Sequence, residues 1–226
     1  DTCETDRKNI FTGIHKDALS ICKDIREVDI AKELPQADGF LYGFPCNDFS
    51  NVGESKGLDG HFGPLFSYGV EYININNPLF FFAENVSGLR SANEGNAFKT
   101  ILKALNNAGK SGYNVTAHLY KFEQYGIPQA RHRFILIGIR GDLVSPKNGE
   151  KLFFRVPKAP GIVTSVKEAL KDIPDWASNQ EKTNQSKVVM ERLKFIRPGE
   201  NVWQAEDRMP EHLRLKVKGA RLSQIY

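Results

Sequence analysis

Strand-like and helix-like segments alternate over the first 140 residues, which predicts an α/β protein built on a parallel sheet with helices on its faces. The composition agrees with that class: 40% hydrophobic and 26% charged residues in 226 suit one large globular domain, or one domain and part of a second. The third observation is placement. Polar loops rich in chemistry follow the apolar strands directly, and in open α/β sheets ligands gather beyond the C-terminal ends of strands.

The elements follow in order. Asp6–Ile14 has a weak helical pattern. Gly39–Gly43 is a short apolar strand, and a Gly-rich loop runs from Phe44 to Gly63. Pro64 suits a first helical position, and Leu65, Phe66, Tyr68, Val70 and Ile73 extend a helix to about Asn76. Leu79–Ala83 is an apolar strand that ends in the polar pair Glu84-Asn85. Ala97–Ala108 has helical periodicity, with Phe98, Ile101, Leu102 and Leu105 on one face and Gly109 as a stop. Tyr113–Leu119 and Phe134–Ile139 read as strands. Beyond Arg140 the pattern gives way to a polar stretch punctuated by six prolines between Pro146 and Pro210, with short helices at Ser165–Asp172 and Ser186–Phe195. A domain boundary is expected near residues 141–160, dividing the chain into 1–145 and 146–226.

Charge is uneven. Residues 1–150 carry 16 Lys and Arg against 18 Asp and Glu, whereas residues 151–226 carry 15 against 9. The basic C-terminal third fits a polyanionic partner, or simply a solvated cationic surface. No apolar run approaches a membrane span. Three cysteines, an odd number, argue against a disulfide framework and for a reducing compartment.

Three segments could carry chemistry. Cys46, in Gly43-Phe44-Pro45-Cys46-Asn47-Asp48-Phe49-Ser50, follows a strand and can serve as a nucleophile if its thiolate is favoured; the competing reading is a buried structural thiol. Glu84 stands behind four apolar residues, where desolvation favours the protonated form a general acid needs; the alternative is a capping carboxylate. In Gln129-Ala130-Arg131-His132-Arg133, alternation puts both guanidinium groups on one side of an extended chain, able to hold a phosphate, a carboxylate or a base edge. A solvated strand start is the plain alternative. His61 and His132 would be the partners of Cys46 in a thiol hydrolase, but the spacing matches no such signature. Cys3 and Cys22 make no metal-ligand pattern with the five histidines, and no metal is expected.

Pro45-Cys46 with Ser50, then Glu84-Asn85-Val86, then Gln129-x-Arg131-x-Arg133, in this order and strand context, resemble the DNA cytosine-5 methyltransferases in their bacterial restriction–modification form. Tyr125-Gly126-Ile127-Pro128-Gln129 adds to the likeness, which runs from about Glu4 to Arg140. The resemblance implies a Rossmann-like methyl-transfer core using S-adenosyl-L-methionine, acting on a cytosine flipped out of duplex DNA. It implies that Cys46 attacks C6 of the ring and that Glu84 contacts N3 and donates a proton. Arg131 and Arg133 would hold the flipped base and the glutamate. Ser50, Asn47, Asn85 and Gln129 would lie on the DNA side. For the cofactor it implies Glu4 at the ribose, Thr5 and Asp24-Ile25 at the adenine, and Pro45 and Leu65 nearby.

Asn47 stands where the family usually has Gln, and Phe62 where it often has Arg. No Phe-x-Gly-x-Gly loop precedes Glu4. The core is therefore expected to be incomplete at its first strand, with residues 146–226 forming the start of a small target-recognition domain, including Lys216, Lys218 and Arg221 as phosphate contacts. An additional N- and C-terminal segment or a complementing polypeptide is expected. So are a bacterial cytoplasmic, nucleoid-associated location and no membrane partner. Two other functions share these residues: methylation of tRNA cytosine by the same chemistry, and nucleic-acid binding without catalysis.

Overall fold

The computed structural model describes residues 20–44, 65–90, 95–178, 180–181 and 184–216. The first helix expected at Asp6–Ile14, and the loop between Phe44 and Leu65, lie outside those residues. Two compact units divide at Val166 and Lys167.

Among the described residues the first unit holds a four-stranded sheet, ordered β1-β2-β4-β3. The strands are β1 (Gly39–Gly43), β2 (Phe80–Val86), β3 (Tyr113–Lys121) and β4 (His132–Arg140). β1 and β2 pair in parallel, Gly39 opposite Phe80 and Gly43 opposite Glu84. β4 is antiparallel to both its neighbours. The expected all-parallel sheet is thus corrected at one strand: β1, β2 and β3 point the same way and β4 runs against them. The reason is the length of the link. Residues 122–131 are too few for a crossover, which takes about a dozen residues or more, so the chain returns as a hairpin. β2 also runs on through the expected polar end to Val86, three residues past Ala83. Its partner β4 pairs with it as far as Val86, so Glu84 and Asn85 belong to the ladder rather than to a loop.

Helices cover one face of the sheet. A short helix α1 (Ile30–Glu33) is capped by Asp29, whose side chain accepts from the backbone N–H of Lys32. Helix α2 (Phe66–Asn76) stops at Asn77, which adopts the left-handed conformation at φ 47° just before Pro78. Helix α3 (Asn96–Asn106) buries Ala97, Ile101 and Leu105, the stripe its periodicity predicts. These side chains meet Phe81, Ala83 and Leu136 of the sheet in one core with Ile73, Leu89 and Tyr113. Two glycines make that packing possible. A Cβ on Gly138 would lie 2.2 Å from the ring of Phe81, and one on Gly69 would lie 2.3 Å from the ring of Tyr42. Phe40 and Tyr42 alternate onto the same face of β1 and stack, Phe40 against Tyr72 at 4.1 Å between ring centroids. Burial pushes the Tyr42 phenol well above its ordinary pKa, and raises that of Tyr113 to about 12.

The opposite face of the sheet is lined by segment 152–157. Asn114 Nδ2 donates to the carbonyl of Leu152, Thr116 Oγ1 to that of Phe154, and the Tyr125 hydroxyl to that of Pro157. Residues 146–166 accordingly belong to the first compact unit.

The second unit has its own small core: Val202, Ala205, Met209 and Leu213, with Phe195, Ile196, Trp203 and Leu215 packed against it. Helix α4 (Val166–Leu170) begins where the two units divide, and α5 (Lys187–Leu193) is capped by Ser186, whose Oγ accepts from the N–H of Val189. Arg192 Nε donates to the carbonyl of Leu213, which fastens α5 to the end of the unit. No helix among the described residues is long and apolar enough to cross a membrane.

Candidate active site

The parallel pairing of β1 and β2 sets Gly43 beside Glu84, so the chain leaving β1 toward Pro45-Cys46 starts next to the carboxylate. The approach is close: a Cβ on Gly43 would touch Oε2 of Glu84 at 3.6 Å, an ordinary van der Waals contact. Phe44 is fixed at both ends. Its ring is 6% exposed, in the core against Tyr42 and Phe66, and its carbonyl accepts a 3.3 Å hydrogen bond from Asn85 Nδ2. Asn85 Oδ1 accepts from the N–H of Val86 at 2.8 Å. Both ends of the amide are therefore used, and the residue is 1% exposed. Asn85, expected on the DNA side, is here a buried amide in the wall of the sheet that braces the backbone leading to Cys46.

Antiparallel pairing of β2 with β4 brings Arg133 opposite Val86, one step along the same face from Glu84. Arg133 Nε lies 2.7 Å from Glu84 Oε1, and its Nη1 donates to the carbonyl of His132 at 2.8 Å. The glutamate side chain is 36% exposed. Its setting is thus an ion pair open to solvent, rather than the sealed apolar pocket that the preceding phenylalanines suggest. Among the described residues Arg133, and not Arg131, is the guanidinium that meets Glu84. Arg131 lies just before the strand with its side chain exposed, and its carbonyl accepts from the N–H of Phe122. Gln129 is exposed on the same connection, its N–H turned to the carbonyl of Ile127.

A mainly apolar cavity of about 290 Å³ lies on the helix-covered side of β1. Ile25 and Leu65 both line it, beside Gly43, Phe44, Tyr68 and Tyr72. Sequence reasoning pairs Ile25 with Leu65 only through the family likeness; the fold brings them together although 40 residues separate them. Asp24 flanks this cavity without lining it. It caps the turn at Ile25–Glu27, and its carboxylate is gripped by Arg26, with Nε at 2.9 Å and Nη2 at 2.6 Å. The aromatic wall is the part that reasoning from the sequence leaves unassigned. Its signal is the alternation of Phe40, Tyr42 and Phe44 along β1. No cluster of three potential metal ligands occurs among the described residues. Cys46, Pro45, Asn47, Ser50, Glu4 and Thr5 lie outside them, as do Lys218 and Arg221.

Over 229 residues the chain is 50% identical to the Type II methyltransferase M.BbvI of Brevibacillus brevis, a match that covers 99% of this chain and 58% of that protein. It is 32% identical over 227 residues to the Type II methyltransferase M.NgoFVII of Neisseria gonorrhoeae, covering 99% and 57%. To the Type II methyltransferase M.FnuDI of Fusobacterium nucleatum it is 34% identical over 196 residues, covering 85% and 53%. The chain spans a little over half the length of these relatives. The family model described as C-5 cytosine-specific DNA methylase matches residues 3–219, and the chain belongs to that family.

Proposed function

We propose that this chain carries the base-handling and part of the cofactor-handling machinery of an enzyme that transfers a methyl group from S-adenosyl-L-methionine to C5 of a flipped-out cytosine in duplex DNA. The observation that carries the proposal is the Arg133–Glu84 pair beside Gly43 and Phe44, from which Pro45-Cys46 leads. The chemistry explains the residue types. Cytosine C5 is a poor nucleophile. The Cys46 thiolate adds to C6 while Glu84 delivers a proton to N3, and C5 then has the electron density to accept a methyl group. Loss of the C5 proton, return of the N3 proton to Glu84 and expulsion of the thiolate restore the aromatic ring. Arg133 orients Glu84 through Nε, a fixed fork that an ammonium group would not reproduce. Arg131 and Gln129, exposed on the connection before β4, are free to meet the base or its backbone.

The cavity fits a flat heteroaromatic group. At about 290 Å³ it is lined mainly by aromatic and aliphatic side chains, and its size suits a nucleobase rather than a whole dinucleotide. Ile25 and Leu65 would grip the adenine of S-adenosyl-L-methionine, with Asp24, Glu4, Thr5 and Pro45 as further contacts. When bound, that cofactor supplies an electrophilic methyl group. Further polypeptide, in the same chain or a complementing one, would pair with β1, the edge strand of the sheet among the described residues, whose Leu41 is 67% exposed. The basic stretch of residues 151–226 would reach the duplex through phosphate contacts, Lys216, Lys218 and Arg221 among them, which position without reading sequence. The bacterial cytoplasm is the compartment that supplies both the DNA and a reduced thiol.

Duplex DNA containing 5-fluorocytosine tests the proposal, because fluorine at C5 blocks proton loss and traps the thiol adduct. The intact protein with cofactor is expected to form an adduct stable to denaturing gel electrophoresis, and Cys46→Ser to form none. Adduct with tRNA but not with DNA would move the substrate to RNA. DNA binding with no adduct and no cofactor binding would reduce the protein to a nucleic-acid-binding relative.

A further inference from the structure

The connection between β3 and β4 carries Gln129 and Arg131 and ends at Arg133, so whatever holds its neck also holds the site. The backbone closes that neck once, through the Phe122 N–H to the Arg131 carbonyl at 3.0 Å. A side-chain latch lies beside it: His132 Nε2 is 2.7 Å from Glu123 Oε1, with 40% and 32% of the two side chains exposed. The partners are nine residues apart and meet only because the hairpin folds back. Strand alternation sends the His132 ring to the opposite face of β4 from Arg133. The latch therefore cannot touch a base bound at Glu84. Its route to the site is the peptide of residue 132, whose carbonyl accepts from Arg133 Nη1 at 2.8 Å while Arg133 Nε holds Glu84 Oε1 at 2.7 Å.

We propose that Glu123 is a positioning residue: through His132 it fixes the peptide that orients Arg133, and through Arg133 it fixes Glu84. The carboxylate is suited to this. Its own backbone N–H, then His132 and Lys121, hold its pKa below the ordinary glutamate value against the opposing effect of burial, so it remains an acceptor at neutral pH. The geometric claim stands on the described contacts. Its meaning for catalysis rests on the reading of Glu84 and Arg133 given above.

Two readouts on the intact protein separate these levels. The first is exchange of the Arg133 Nε–H with water, followed by NMR. Held against Glu84 it exchanges slowly, and Glu123→Ala is expected to speed it about fivefold or more, with Glu123→Gln, which keeps an acceptor for His132, restoring most of the protection. The second is the single-turnover rate of methyl transfer to duplex DNA. It is expected to fall about 3- to 10-fold in Glu123→Ala, the range one ordinary hydrogen bond provides, while the dissociation constant for S-adenosyl-L-methionine stays within about twofold. His132→Phe removes the latch from its other side and should reproduce both effects, and the double variant should be no worse than either single one. Unchanged Arg133 exchange in both single variants overturns the proposal, as does a double variant whose loss is the product of the two. If the wild-type protein transfers no methyl group but Glu123→Ala still frees Arg133, the positioning stands and the methyl-transfer reading falls.

Discussion

In the unit that ends at Val166, Phe81, Ile73, Leu89, Ile101, Leu105 and Leu136 are all fully buried around one sheet; in the unit that begins at Lys167, the buried apolar side chains are Val202, Ala205, Met209 and Leu213. The first unit is organised by a strand ladder that fixes side chains far apart in sequence. The second is organised by short turns, caps and arginine contacts such as Arg192 to Leu213, Arg208 to Phe195 and Arg214 to Met209. The lesson is about precision. The residues that the proposed function requires to meet closely, Glu84 and Arg133, both lie on the ladder, with Gly43 paired beside Glu84. The second unit has a surface to present and little interior to present it from.

Core truncation should separate the two most widely. Phe81→Ala empties a site closed by Tyr113 and by the bare backbone of Gly138, which cannot collapse to fill it. A loss of about 3–5 kcal/mol is expected in denaturant unfolding followed by circular dichroism. Leu213→Ala in the smaller core is expected to cost about 2 kcal/mol, the lower end of the range for such a change, because neighbouring turns can relax. Equal losses would mean that the second core is as well packed as the first, and the contrast would fail.

Asn85 sharpens the comparison from the side of function. Asn85→Ala removes the hydrogen bond from Asn85 Nδ2 to the Phe44 carbonyl, for an expected cost of about 0.5–1.5 kcal/mol. Adduct formation with 5-fluorocytosine DNA should slow at a temperature where the variant is still folded, because the backbone entering the Cys46 segment loses its brace. Unchanged adduct kinetics with lowered stability would confine Asn85 to folding. In the second unit the matching polar contact is the Ser186 cap. Ser186→Ala should cost about 1 kcal/mol. That loss should be visible as faster amide exchange in α5 and unchanged exchange in β2 and β4.

These residues also show where the sequence is legible. Gly39–Gly43 and Asn96–Asn106 are visible because local pattern sets them: a short apolar run, and a stripe at helical spacing. The continuation of β2 through Glu84-Asn85 is not, since its cause is the partner strand β4 some 50 residues on. Asn85 beside a charged residue reads as surface, and its bonds to the Phe44 carbonyl and the Val86 N–H explain why it is buried. Ile25 with Leu65, and Glu123 with His132, are likewise pairs made by topology. Motif spacing can name Glu84, Arg131 and Arg133 together, yet the strand register decides which arginine reaches the glutamate.

The smallest expected effect concerns acid, and it falls on the second unit. Glu200 accepts from the backbone N–H of Arg197 at 3.0 Å and pairs with Arg208, and these contacts, the backbone N–H foremost, hold its carboxyl below the ordinary glutamate range. A carboxylate with a lowered folded-state pKa stabilises the fold above its unfolded value near 4.5, and that contribution fades as pH falls through the lower folded value. The pair lies at the surface, so salt screens it and the change is modest. The protection factors of residues 197–208, corrected for the intrinsic slowing of amide exchange in acid, should therefore fall between pH 6 and pH values below about 4, more steeply than those in β2 and β4. Glu200→Gln should flatten that dependence while leaving the ladder untouched. A ladder that loosens in step with residues 197–208 would show that the two units share one stability, and that the division at Val166 is only geometric.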